Sequence, residues 1–148
     1  MTRWKEDATR DDAGARIFLR DTQSGLTWTA AQRPGRKGNA TSSVTFGEDH
    51  AEFHHRNETL STLMDVLVSG EHEGEVRRVS LVNTGRRARE IELTSYAELV
   101  LTTAATDAAH PTFAKMFVET EHLPEFGAVL ATRRPRSTDE PRIFAAHF

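Results

Sequence analysis

The stretch RIFLRDTQSGLTWT, residues 16 to 29, does most to limit what this chain can fold into. Ile17 and Leu19 share one parity, Ser24 and Gly25 supply a turn, and Leu26 and Trp28 resume on one face. A period of two broken by a glycine turn is the pattern of an antiparallel hairpin, not of an amphipathic helix. The pattern recurs. SVTF and AEFHHR flank GEDH, and TLSTLMDVLVS runs on to GEHEGE, so these segments read as successive meander strands after a Pro/Gly-rich loop over 33–43. No helical stripe competes with them, and an all-β antiparallel domain is expected.

EVRRVSLVN, NTGRRA and REIELTSYAELVLTT are predicted to form a second hairpin with an unusually long return strand. On that strand Ile91, Leu93, Ala97, Leu99 and Leu101 fall on one face, with Glu92, Thr94, Tyr96 and Glu98 on the other. Val79 and Leu81 match the apolar face, which would lay this hairpin flat against another sheet. AATDAAHPT then reads as a loop, because Pro111 lacks an N–H and pushes His110 toward an extended conformation. A strand from about Lys115 to Glu121 follows, and EFGAVLATRR and RIFAAHF supply two more.

A length of 148 residues sets the expectation of one domain, residues 1–148, and an apolar fraction of 37% is lean enough that its core could be shared with something outside the chain. Without cysteine there is no disulfide framework and no thiolate chemistry. The formal charge of -3 is spread along the chain rather than gathered into a basic face, which argues against nucleic acid as a partner. No apolar run approaches the length of a membrane span, so membrane insertion is not expected. The opening MTRWKEDATRDD is too polar for a signal peptide, and the chain reads as soluble and cytoplasmic. RPGRKG at 33–38 and RRPR at 133–136 read as solvated loops, with phosphate or sugar-phosphate contact as the alternative. The N-glycosylation patterns at Asn39 and Asn57 carry little weight without an export signal.

Three kinds of chemistry can be weighed on the residues. Glu119 and Glu121 share a strand face about 7 Å apart, which overlaps the carboxyl separation of inverting glycosidases. Two neighbours on one strand cannot flank a substrate from opposite sides, and a solvated face is the expectation, with no catalytic residue assigned. His54 and His55 with His50 form the one histidine cluster, but adjacent strand residues point to opposite faces, so no metal site is expected. There is no nucleophile elbow and no phosphate-binding glycine loop. Sugar binding remains. Of the aromatics, Trp28 and Phe117 are expected in the core, leaving Trp4, Tyr96 and others. Phe113, beside His110 and just before Lys115, sets an apolar platform next to two donors, a combination suited to gripping a sugar.

The phrases TRWKEDATRD, IFLRDTQSGLTW, VTFGEDHAEFHHR, REIELTSYAELVL, DAAHPTFAKMFVETE and LATRRPRS together resemble the N-terminal β-sandwich of the phosphorylase-like region in cyclic β-1,2-glucan synthases, within glycoside hydrolase family ninety-four. The resemblance covers nearly the whole chain. It implies a supersandwich of the galactose-mutarotase-like type, truncated here at both ends, and a parent reaction of inverting phosphorolysis. The general acid of that reaction lies in an (α/α)₆ barrel that this chain lacks, so no activity is expected of the chain alone. It also implies no cofactor, with inorganic phosphate as a substrate of the parent family, and partners that include a β-glucan oligosaccharide, the absent barrel and a second protomer as homodimer. The parent would be anchored to the inner membrane with this region on its cytosolic side. By the same resemblance His110, Phe113 and Lys115 become the candidates for substrate or barrel contact. RPGRKGNATSSVTF and GEHEGEVRR depart from the family pattern in loops.

Overall fold

A computed structural model describes residues 2, 3, 9, 13–31, 41–57 and 59–148. Trp4, most of the TRWKEDATRD phrase, the basic stretch 33–38, Asn39 and Glu58 lie outside these residues. The chain divides into two compact units, Arg16–Tyr96 and a second made of Met1–Ala15 with Ala97–Phe148.

In the Arg16–Tyr96 unit, the parity read from the sequence becomes structure. Ile17, Leu19 and Asp21 form the inward row of β1 (Ala15–Asp21), which pairs antiparallel with β2 (Thr27–Thr29) so that Leu19 faces Trp28. The turn between them is closed by the Asp21 carboxylate, which accepts the N–H groups of Gln23 at 2.9 Å and Ser24 at 3.1 Å. Gly25 takes φ +71, a conformation glycine adopts without steric cost. Then β3 (Thr41–Phe46), β4 (His50–Asn57), β5 (Leu60–Val68) and β6 (Glu75–Asn83) form a four-stranded antiparallel meander in chain order.

The second hairpin expected from the sequence does not form. Strand β7 (Ile91–Ala97) leaves β6 and joins β1, giving a second sheet in the order β2-β1-β7. The reason lies in the 83–90 segment. Asn83 closes a local turn, donating from Nδ2 to the Arg87 carbonyl at 2.8 Å and accepting the Gly85 N–H at 3.0 Å. The chain is then caught at the β1 turn, where Thr22 N–H donates to the Glu90 carbonyl at 3.0 Å and the Arg89 guanidinium stands 3.6 Å from Asp21.

The core of this unit comes from both of its sheets. Ile17, Leu19, Ala30 and Met64 are buried, with Trp28, Phe53, Val66, Val79 and Ile91 packed on them. Pairing of Met64 with both Phe53 and Val79 sets all three on one face of the meander. Trp28 Nε1–H donates to Thr62 Oγ1 at 3.4 Å, so the indole finds a partner for its one polar atom.

The long return strand is also shorter than expected. It ends at Ala97, after which Leu99 makes an isolated bridge to Thr2 and Leu101 adopts φ +50. A left-handed residue interrupts the period of two, so the predicted single apolar face divides: Ile91 packs in the first core, Leu93 is half exposed, and Leu99 and Leu101 belong to a second core. Leu81 is likewise more exposed than its assigned face required.

The second unit is built on β8 (Val118–Leu123), β9 (Ala128–Arg133) and β10 (Phe144–His147), antiparallel in the order β10-β9-β8. Its core joins Leu101, Ala131 and Ala145 with Leu99 and Val118. Where a loop and an early strand were expected, two short helices stand: α1 (Ala104–Ala109) and α2 (Pro111–Lys115). Thr103 caps α1 by accepting the Thr106 N–H at 3.3 Å. Pro111 occupies the start of α2, the position where a missing N–H costs nothing, so the proline opens a helix instead of a loop. His110 keeps φ -144 and ψ 69, outside the helical region, as a residue before proline should.

Candidate functional site

His110 links α1 to α2, Phe113 and Lys115 lie on α2, and an ionic network holds those helices in place. Arg3 presents the Nε and Nη2 edge of its guanidinium to Asp107 on α1, at 2.7 and 2.6 Å, and donates from Nη1 to Glu98 at 2.9 Å. Lys115 on α2 pairs with the same Glu98 oxygen. The Arg3, Glu98 and Asp107 side chains are largely buried, which strengthens these charge-assisted bonds relative to surface pairs.

On this scaffold an open cleft of about 620 Å³ is lined by Thr106, Ala109, His110, Phe113, Phe117 and Arg136, among others. Phe113 is 62% exposed there, a ring presented to solvent next to an imidazole. Lys115 is elsewhere. It lines a smaller cavity of about 340 Å³ with Arg3, Pro111, Thr112 and Met116. The fold therefore brings His110 and Phe113 together and separates Lys115 from them.

Phe117, expected in the core, is half-buried and forms part of the cleft wall. Behind that wall stands Arg133. The RRPR run was expected to be a solvated loop, but Arg133 is the last residue of β9 and only 4% exposed, which corrects that reading. Strand parity explains it, because Arg133 is in phase with the buried Ala131. Its Nη1 donates to the Ala114 carbonyl at 2.9 Å, and its Cζ lies 5.3 Å from the Phe117 ring centroid. Arg134 Cζ lies 5.4 Å from the same ring.

The other candidate chemistries are dispersed. Glu119 and Glu121 are exposed on one face of β8. His54 Nε2 meets Ser61 Oγ at 2.9 Å on one side of β4, while His55 Nδ1 meets Ser42 Oγ at 2.9 Å on the buried side. Burial, with a smaller contribution from neighbouring His54, pushes the His55 imidazole below its ordinary value. His50 lies beside Asp49 at 3.2 Å. Among the described residues no group of three or more His, Asp or Glu is arranged to hold a metal ion. Asp21 has its carboxyl lowered, first by the Ser24 N–H, against the opposing effect of burial, and further by the Gln23 N–H and the Arg89 charge.

Sequence reasoning missed Arg3, Asp107 and Arg133. The parity of the ATR segment was an available signal for Arg133, whereas nothing local marks Arg3 or Asp107, which pair across a separation of 104 residues in the chain. Among the described residues no helix is long and apolar enough to cross a membrane.

Comparison with known proteins places these observations. The chain is 42% identical over 147 residues to the cyclic beta-(1,2)-glucan synthase NdvB of Rhizobium meliloti (strain 1021). That alignment takes in 99% of this chain and 5% of the length of the synthase. The family described as glycosyl hydrolase 94, supersandwich domain, matches residues 1–148. With its antiparallel, nearly all-β architecture, the chain belongs to the glycosyl hydrolase 94 supersandwich-domain family.

Proposed function

We propose that this domain is a non-catalytic, carbohydrate-binding and barrel-supporting β-sandwich of a cyclic β-1,2-glucan synthase or inverting glucan phosphorylase. The cleft carries the reading: an exposed Phe113 ring and His110, with Thr106 and Arg136 in the same lining, offer a pyranose an apolar face and polar donors together. The reaction itself is assigned to a catalytic barrel elsewhere in such a protein, acting with inorganic phosphate and no cofactor on the cytosolic side of the inner membrane. Glu119 and Glu121 do not supply a substitute, since both lie on one open face and cannot flank a glycosidic bond. Lys115, bound to Glu98, contributes to the barrel-supporting surface and not to the sugar contact.

Calorimetry with β-1,2-gluco-oligosaccharides tests the reading. Binding should weaken about tenfold in Phe113→Ala, equivalent to roughly 1.4 kcal/mol, and the chain alone should release no glucose 1-phosphate from glucan and phosphate. Absence of binding by the folded parent protein, or turnover by the isolated chain, would refute it.

A second reading is a purely structural interface, with the barrel or in a homodimer, and no sugar contact. It is favoured by the large exposed apolar side chains Met116, Phe126 and Phe148 of this unit. Sedimentation that showed dimers dissociated by Phe148→Ser, without glucan binding, would support it over the first.

A further inference from the structure

We infer that Arg133 is the positioning residue of the cleft, setting α2 and the Phe117 ring in place at a net expense in stability. The inference rests on the carbohydrate reading only for its binding readout. Its geometry is independent of any ligand. The guanidinium touches the cleft from behind at two points: Nη1–H donates to the carbonyl of Ala114, and the cationic plane lies over Phe117. Both residues line the cleft, and Ala114 directly follows Phe113, so one side chain fixes the backbone that carries the exposed ring and a second ring of the cleft lining.

The rest of the guanidinium has no such use. Nε and Nη2 are buried and meet no acceptor. In the same unit, Arg3 fills the equivalent edge with the Asp107 carboxylate, which shows what a satisfied arginine looks like here. Burying a cation with three of its five N–H donors unsatisfied opposes folding, and apolar side chains of similar volume often do better at such positions. An arginine at this point of β9 is therefore poorly explained by stability.

What arginine supplies and an apolar residue cannot is an N–H to a carbonyl in α2. That helix has five residues, too few to persist on its own hydrogen bonds, and its last carbonyls have no partner within the helix. Arg134 also approaches Phe117, but it is exposed and cannot take over the buried bond.

The two roles predict opposite signs, which makes the test direct. In Arg133→Met the thermal midpoint should stay level or rise, while amide exchange at Ala114, whose N–H bonds to the His110 carbonyl, should quicken about tenfold. Affinity for β-1,2-gluco-oligosaccharide should fall about tenfold with it. Arg133→Lys, which keeps a donor and a charge, should restore most of the Ala114 protection. A lowered midpoint or failure to fold in Arg133→Met overturns the inference, because the arginine would then be supporting the fold. Unchanged Ala114 exchange overturns it too, as does a lysine variant no better than methionine. If the wild-type chain binds no glucan, the carbohydrate reading falls and the exchange and midpoint measurements still decide the role of Arg133.

Discussion

The Arg16–Tyr96 unit and the unit formed by the two chain ends each cover a three-stranded sheet, but they do so with different materials. The first opposes β2-β1-β7 with a four-stranded meander and fills the space with Ile17, Leu19, Met64, Trp28 and Phe53. The second has a core of Leu101, Ala131 and Ala145, and draws on buried or nearly buried charge, Arg3 with Asp107 and Arg133 against Ala114, to hold α1 and α2. Dispersion and hydrophobic burial are nondirectional and tolerate small shifts, whereas ion pairs and single hydrogen bonds fix position at the cost of desolvation. The unit that carries the candidate site is thus the one organised by directional bonds.

Four variants test that contrast. The largest effect is expected from Leu19→Ala, where a side chain with 0% exposure leaves a cavity, and denaturant unfolding should register a loss of about 2–5 kcal/mol. Arg3→Met should cost about 1.5–3 kcal/mol by removing the charge-assisted bonds to Asp107 and Glu98, and the cost should change little in high salt because salt screens such buried pairs weakly. A loss that largely vanished in high salt would mean that Arg3 acts through exposed surface charge instead.

His55 gives a pH-dependent contrast of smaller size. Its folded-state pKa lies below the ordinary 6.5, so the unfolded chain takes up the proton first. The neutral-histidine contribution is complete above about pH 6.5 and declines as pH falls toward the folded-state value. His55→Gln should flatten the stability profile over that window, and an unchanged profile would assign the dependence to other groups. Glu119→Gln with Glu121→Gln should alter stability by less than about 0.5 kcal/mol, because both carboxylates are exposed on β8. A larger change would give those residues a structural role that their solvation denies.

How far the sequence could be read follows the same division. Where side chains alternate over several residues, parity and turn residues located strands, as in β1 and in β3 to β6, and in β1 they located the inward Ile17 and Leu19 as well. It failed where partners are distant in the chain. The Gly-containing NTGRRA segment reads as a hairpin turn, and only the capture of Glu90 and Arg89 at the β1 turn redirects β7. The helices escaped notice because six and five residues are too few to show a 3.6 period, and because proline marks a helix start as well as a loop. In the candidate site, Phe113 and His110 could be chosen for their chemistry, but the position of Lys115 on a separate cavity depended on its bond to Glu98. Arg133 looked like one member of a basic run until its strand parity was known.

The departure of β7 from the meander also bears on the order of folding. Every pairing from β3 to β6 joins strands adjacent in sequence, whereas β1 must wait for β7, with the whole meander lying between them in the chain. Contacts between near neighbours close small loops and form early, while distant pairing carries a larger entropic cost and slows the search. The meander should therefore gain protection before the β1–β7 pairing during refolding, and pulse-labelled exchange that protected Thr22, whose N–H bonds to the Glu90 carbonyl, ahead of Met64 would reverse that order. The strand that encloses the first core would then be the last to arrive, and translation would release it only after the four meander strands had already been made.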